Sequence, residues 1–330
     1  MSQFEYMFSK LKEIAKKVDK FMIENITGKV RELWEASRHY ILAGGKRLRP
    51  FLVVKSYELK KKDIDKVIPV AAAVEVLHTF TLIHDDIMDK DTLRRGVPTV
   101  HVKWGEALAI LAGDLLFAMS FVLANKAPIP EDIKAKIAYE LGKVCVDLAE
   151  GQTMDISFEK REDVTVEEYM EMIRLKTGAL FRTSAKVGGL AAGADDNELS
   201  KLEEYGEKLG IAFQIADDIL GLVGEKDKLG KPVGSDIREG KKTYLVLYAR
   251  EHLDTNDAKR LMTILNKDKK SDMEINEAIE LVKRSGALDQ AKTLAQSIAD
   301  DAIKALNIFP ESDARKDLEI LARLAVERTY

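Results

Sequence analysis

Apolar residues recur at the helical period along almost the whole chain. The spacing predicts helices over residues 5–42, 47–60, 66–89, 105–125, 131–155, 167–193, 197–224, 240–252, 256–267, 273–307 and 312–329, and nowhere sustains the alternation of a strand. Breaks fall where turn chemistry puts them: Gly44 and Gly45, residues 95–98, Pro128 and Pro130, residues 193–197 and residues 230–234. Thr165, followed by Glu167 and Glu168, and Asp195, with Glu198 three residues on, are suitable helix caps. The pattern predicts an all-α bundle of roughly ten or more helices. No Pro/Gly/Ser-rich linker or internal repeat divides residues 1–330, so a single domain is expected.

The two most apolar long segments, 66–89 and 197–224, are expected at the centre, and each carries acids at or near its C-terminal end: HDDIMD at 84–89 and QIADDILG at 214–221. Uncompensated carboxylates among residues such as Phe80, Ile83, Ile87, Ile215 and Ile219 are expensive to bury. They are also misplaced relative to the helix dipole, which is negative at that end. Bound cations resolve both problems. Asp85 and Asp89 lie one helical turn apart on one face, with His78 and Thr81 nearby, and Gln214, Asp217, Asp218 and Gly221 share a face on the second helix. Oxygen-only ligands suit Mg²⁺, which keeps several waters and completes its shell with substrate phosphates.

Short basic motifs accompany the acids: Lys46, Arg47 and Arg49 in GGKRLRP; Arg94 and Arg95; Lys176 beside Thr177; and Lys231, Lys241 and Lys242. Glycines next to arginine and lysine let the backbone approach an anion, and guanidinium forks match phosphate oxygens, so diphosphate is the natural ligand. Neither a P-loop nor a dinucleotide fingerprint is present. The formal charge of -4 and pI near 5.9 give no electrostatic footprint for nucleic acid. The single cysteine, Cys145, excludes an internal disulfide and fits a reducing compartment; with no apolar signal core at the N-terminus, a cytoplasmic protein is expected. Residues 107–124 are nearly long enough to span a membrane but contain Asp114, so a buried bundle helix is expected there rather than an integral membrane segment.

Taken in order, GGKRLRP, DDIMD with RRG after it, KTG and FQIADD resemble the short-chain isoprenyl diphosphate synthases across nearly the whole chain. The resemblance implies an all-α isoprenoid synthase fold around a central cavity, usually homodimeric, acting as a Mg²⁺-dependent trans-prenyltransferase. It would condense isopentenyl diphosphate head-to-tail with dimethylallyl, geranyl or farnesyl diphosphate. It further implies that Asp85, Asp86, Asp89, Asp217 and Asp218 ligate magnesium. Arg94, Lys176, Lys231 and Lys241 would hold the allylic diphosphate, and Lys46, Arg49, His78 and Arg95 would hold isopentenyl diphosphate. Thr177 and Gln214 would face the reacting carbons. One position departs from the family pattern: the second motif ends in Gly221 where a third aspartate is expected.

Product length is expected to be set by the helix before Asp85, because side chains lean toward the helix N-terminus and reach successively deeper levels. The resemblance makes Phe80 the floor of the tunnel, followed by the small Thr81, and implies a twenty-carbon product, geranylgeranyl diphosphate; farnesyl or longer polyprenyl products are the alternatives. Helical geometry alone selects Thr81, Leu77 and Val74 as lining. A terpene cyclase would share the acidic cage but needs no second diphosphate site, and a silent regulatory subunit would be expected to lack first-motif aspartates.

Overall fold

The computed structural model describes residues 3–223 and 234–327. In chain order its helices are α1 (Gln3–Asn25), α2 (Arg31–Leu42), α3 (Leu48–Glu58), α4 (Ile68–Met88), α5 (Val100–Trp104), α6 (Glu106–Asn125), α7 (Glu131–Phe158), α8 (Val166–Ile173), α9 (Ala179–Ala192), α10 (Asp196–Val223), α11 (Ser235–Glu239), α12 (Tyr244–His252), α13 (Thr255–Leu265), α14 (Asp272–Arg284), α15 (Ala287–Ala305) and α16 (Asp313–Glu327). Among the described residues the only strands are β1 (Leu93–Arg94) and β2 (Val97–Pro98), an antiparallel pair with Arg94 opposite Val97. Arg95 and Gly96 between them are both left-handed, at φ 52° and 77°, the backbone that a two-residue hairpin turn requires. Backbone contacts gather the chain into two compact units.

The first unit comprises residues up to Val144, Leu180–Glu203 and Leu306–Ile320. Helix α4 is apolar on all sides and every residue from Ile68 to Leu77 is buried, with Pro69 in the first turn, where a missing amide proton costs nothing. It packs along α6, where Gly113 leaves room for the His84 ring, and His84 Nε2 lies 3.1 Å from the Ile110 carbonyl. Helix α6 buries Ala109, Ala112, Leu116, Ser120 and Leu123 but exposes Ile110, Leu111, Phe117 and Val122. The expected burial on all sides therefore holds for one face only; by length and composition α6 could cross a membrane. Two buried cations tie the unit together. Lys55 on α3 pairs with Glu58 at 2.5 Å and with the fully buried Asp317 on α16 at 3.0 Å. Arg47 pairs through Nε with Asp19 at 2.7 Å and through Nη1 with Glu75 at 2.9 Å, so this member of the GGKRLRP run is structural.

The second unit comprises Cys145–Ala179, Glu204–Ala305 and the residues from Leu321 on. Tyr169 of α8, Ile215 and Ile219 of α10, Val246 of α12, Ile264 of α13 and Val282 of α14 belong to its apolar core. Thr165 and Glu168 form a full capping box at the start of α8, as the sequence predicts. Residues 174–178 widen into a single π-turn between α8 and α9. Gly151 on α7 admits that turn: a Cβ there would lie 2.5 Å from the Lys176 backbone nitrogen. The Cys145 thiol is pushed up to about 12 by burial, which leaves it without nucleophilic chemistry.

Three predicted helices are divided, that over residues 167–193 by the π-turn between α8 and α9. Residues 5–42 form α1 and α2, and residues 273–307 form α14 and α15, separated at Gly286, whose φ of +79° suits the left-handed position after a helix end.

Candidate active site

The first acidic motif closes α4, and its three aspartates differ in surroundings. Asp85 is half-buried, Asp86 is buried and Asp89 is exposed. Asp86 is fully engaged within the protein. Arg94 donates from Nε at 2.9 Å and 2.8 Å to its two oxygens and from Nη2 at 2.6 Å to Oδ1, a bidentate fork, while the Tyr40 hydroxyl donates to Oδ2. The Tyr40 oxygen in turn accepts the Val100 amide at 3.2 Å. Burial, then the Asp86 carboxylate, raise the Tyr40 phenol above its usual range, so it stays a proton donor. Arg94 reaches Asp86 because the turn between α4 and β1 folds the chain back toward the end of α4. The Asp91 amide bonds the Asp86 carbonyl at 3.0 Å and anchors that return.

Further cationic side chains lie in the same unit. Arg49 is half-buried, its Nε is buried without a partner, its Nη1 lies 3.1 Å from His78 Nε2, and its guanidinium stands 4.5 Å from the Phe181 ring centroid. Burial, then the like charge of Arg95 acting against Glu75, brings Arg49 down to about 10. Burial followed by the neighbouring arginines pushes His78 well below its usual range, so His78 is neutral and accepts from Arg49. Arg95 is left-handed at φ 52° and donates to the Gly44 carbonyl and, at 3.3 Å, to Tyr40 O. Burial and the charges of Arg47 and Arg94 lower its pKa, outweighing Glu75. Lys46 is exposed on the loop between α2 and α3. Neighbouring half-buried and exposed positive groups that depress one another are completed by an anion, and a diphosphate has the charge and acceptor oxygens to do so.

The residues proposed for chain length sit on α4 upstream of Asp85. Phe80 is half-buried and meets Phe117 edge-on at 5.4 Å and His84 at 5.6 Å between centroids; Phe117 meets Phe121 at 5.3 Å. Thr81 is half-buried and donates its hydroxyl to the His78 carbonyl at 2.8 Å. Leu77 and Val74 have no exposed surface, so of the expected lining only Phe80 and Thr81 face space that is not already filled.

The second motif lies on α10 and repeats the arrangement of the first. Asp217 is exposed and Asp218 is buried. Asp218 accepts from the Tyr169 hydroxyl and, at 2.8 Å, from Gln214 Nε2; Gln214 Oε1 accepts from the Thr177 hydroxyl at 2.8 Å. Burial, then the nearby Asp236, raises the Asp218 carboxyl, while its two donors hold it down. Thr177 and Gln214 are therefore linked to each other and to the acidic motif through the π-turn. Lys176 pairs with Asp155 at 2.5 Å and Lys241 with Glu239 at 3.1 Å. Burial works against the Lys241 charge, but Glu239, Asp155 and Asp236 together raise it. Lys231 falls outside the described residues.

The donor set fits a hard divalent ion. Asp85 and Asp89 stand one turn apart at the end of α4, where the Asp89 amide bonds the Asp85 carbonyl at 2.8 Å, and every acid of both motifs offers oxygen only. Asp86 and Asp218 are different, because their oxygens already accept hydrogen bonds from buried donors. Tyr40, Tyr169, Asp155 and Asp236 were not among the residues predicted from sequence. Their partners lie far along the chain, and a phenol or carboxylate in an apolar helix carries no local signal of what it will meet.

A polyprenyl synthetase profile matches residues 30–282. The chain is 48% identical over 320 residues to the short chain isoprenyl diphosphate synthase of Methanocaldococcus jannaschii, covering 97% of this chain and 96% of that protein. Its structure matches the crystal structure of geranylgeranyl pyrophosphate synthetase from Pyrococcus horikoshii Ot3 with a TM-score of 0.94 at 48% identity, over 99% of this chain and 100% of that one. It also matches a polyprenyl synthase from Caulobacter crescentus CB15 complexed with calcium and isoprenyl diphosphate, with a TM-score of 0.89 at 35% identity and 98% coverage of each chain. Together with the all-α architecture and the paired acidic motifs, these matches define an isoprenyl diphosphate synthase, a trans-prenyltransferase. The chain belongs to the polyprenyl synthetase family.

Proposed function

We propose that the protein condenses isopentenyl diphosphate with allylic diphosphates and releases geranylgeranyl diphosphate as its main product, with Mg²⁺ as the metal. The observation that carries this reading is the cluster of half-buried Arg49 and His78 with exposed Arg95, cationic side chains in addition to Arg94, Lys176 and Lys241. An enzyme that only ionises one diphosphate has no use for a second such site. The geranylgeranyl diphosphate synthase from Pyrococcus supports the product assignment.

In this reading Asp85, Asp89 and Asp217 offer oxygen ligands to the ions that accompany the allylic diphosphate, and bound magnesium supplies neutralisation of the leaving diphosphate as its carbon–oxygen bond breaks. Lys176 and Lys241 add fixed positive charge, and Arg94 holds Asp86 so that the adjacent Asp85 keeps its orientation. Arg49, Arg95, Lys46 and neutral His78 bind isopentenyl diphosphate and hold its double bond close to the allylic carbon, which makes the attack effectively intramolecular. Thr177 and Gln214 present oxygens toward the developing cation. The apolar residues of α4 exclude water that would otherwise capture it. Phe80 and Thr81 limit growth of the chain.

We further propose that the exposed apolar face of α6 pairs two copies into a homodimer and that the enzyme acts in the cytoplasm; sedimentation of the purified protein at two concentrations tests the first. The test of the activity is incubation with labelled isopentenyl diphosphate, Mg²⁺ and each of dimethylallyl, geranyl and farnesyl diphosphate, followed by separation of products by length. Label is expected in a twenty-carbon diphosphate. Hydrocarbon release without incorporation of label would establish a cyclase instead, and inertness with every primer would establish a silent subunit.

A further inference from the structure

The second acidic motif ends in Gly221, where the family pattern places a third aspartate, and the structure shows what fills that position. A Cβ at residue 221 would lie 2.7 Å from Asp236 Oδ2 and 3.2 Å from Asp236 Cγ, so the Asp236 carboxylate occupies volume that any side chain at 221 would claim. The backbone fixes it there. The Gly234 amide donates to the Gly221 carbonyl at 3.0 Å, and Gly234 takes the left-handed φ of +73° at the start of α11, the helix that carries Asp236. The same residue reaches the proposed diphosphate ligand Lys241 through its backbone, because the Lys241 amide donates to the Asp236 carbonyl at 2.8 Å.

We propose that Asp236 is the third acid of the second motif, delivered by α11 into the notch that Gly221 leaves, where it positions Lys241 and the Asp217–Asp218 pair for the metal-bound diphosphate. Acid and glycine are then a matched pair: the motif keeps three carboxylates by taking one from another helix, and Gly221 is the residue that admits it. The electrostatics agree, since after burial Asp236 is the strongest influence on Asp218 and is among the acids that raise Lys241. The inference rests on the proposed function and assigns to that site a positioning residue absent from the motif itself.

The test compares Asp236→Asn, Gly221→Ala, Asp236→Ala and the double variant Gly221→Asp with Asp236→Ala. Each is measured by the Mg²⁺ concentration giving half-maximal rate and, independently of turnover, by Mn²⁺ binding in the presence of inorganic diphosphate followed by electron paramagnetic resonance. Asp236→Asn, nearly isosteric, is expected to weaken both by about tenfold while the KM for isopentenyl diphosphate stays unchanged. Gly221→Ala should do the same by displacing the carboxylate, with its thermal midpoint recorded to show that the fold is kept. The double variant should recover Mn²⁺ binding to within about threefold of the original chain, because the acid has only changed helices. Unchanged metal dependence in Asp236→Asn, or a double variant no better than Asp236→Ala alone, would overturn the proposal. Absence of prenyl transfer in the unmodified protein, with the Mn²⁺ pattern intact, would count against the proposed function and not against this assignment.

Discussion

The Tyr169 hydroxyl donates to Asp218, and the Tyr40 hydroxyl donates to Asp86. In each acidic motif the second aspartate is thus held by a phenol from another helix, and the first, Asp217 or Asp85, keeps more exposure than its neighbour. The arrangement separates two tasks that the sequence presents as one run of identical residues: one carboxylate is built into the protein and the next is presented outward.

Removing the Tyr169 hydroxyl leaves Asp218 with one fewer donor in a site where water does not replace it. Tyr169→Phe is expected to cost about 1–3 kcal/mol of stability, read from urea unfolding, and Tyr40→Phe less, because Arg94 still grips both oxygens of Asp86. Equal, negligible losses in the two variants would refute the anchoring role.

Asp85→Asn and Asp86→Asn should fail in different ways. Asp85→Asn is expected to lower kcat by about a hundredfold or more with little change in thermal midpoint, since its loss falls on charge stabilisation in the transition state. Asp86→Asn unpairs Arg94, whose side chain is 26% exposed while Asp86 is 1% exposed, so it should cost about 3 kcal/mol or somewhat less and also reduce activity. Paired thermal and kinetic measurements separate the two, and a reversed pattern would contradict the division of labour.

How much of this was readable in the chain varies from element to element. Helix α4 was legible because the apolar residues of its first half fall on every side of the helix and are all buried, and the capping box at Thr165 was legible because its chemistry is local. The break between α1 and α2 was not. It surrounds one glycine, Gly28, and depends on the Trp34 ring folding over that position, a contact that periodicity does not encode. Arg47 and Arg49 look alike in GGKRLRP, yet one is neutralised by Asp19 and Glu75 and the other is left cationic, which only the packing of α1 and α4 decides. Leu77 fell on the expected tunnel stripe but is sealed, because helical geometry gives direction and not what a neighbouring helix has already filled. The Gly221 departure was visible, but its counterpart at Asp236 was not.

His78 provides a stability prediction with a definite sign. Its folded pKa lies well below 6.5 because burial and four arginines oppose the charged form, whereas the unfolded chain titrates near 6.5. Below that pH the unfolded state binds more protons, so stability falls as pH drops from 6.5 toward the folded value and is constant with respect to this group above 6.5. His78→Gln is expected to flatten that part of the curve in unfolding experiments between about pH 7 and pH 5. If the slope persisted unchanged in the variant, another group would be its source.

Phe80 is the position where sequence and structure together make a prediction about product. Its ring is held edge-on between His84 and Phe117, and Phe117 continues to Phe121, so the aromatic layer beneath the last turn of α4 is braced rather than loose. A braced ring can stop a growing apolar chain; a mobile one would yield. Truncation to alanine removes the barrier and leaves an apolar void that favours a longer prenyl tail, while the acids Asp85 and Asp86 further along α4 are untouched. Phe80→Ala is therefore expected to shift the product from twenty carbons to longer chains with the rate of the first condensation nearly unchanged, as read by separating labelled products by length. An unaltered product distribution in an active Phe80→Ala enzyme would remove Phe80 from the floor and move the assignment to Thr81, its half-buried neighbour.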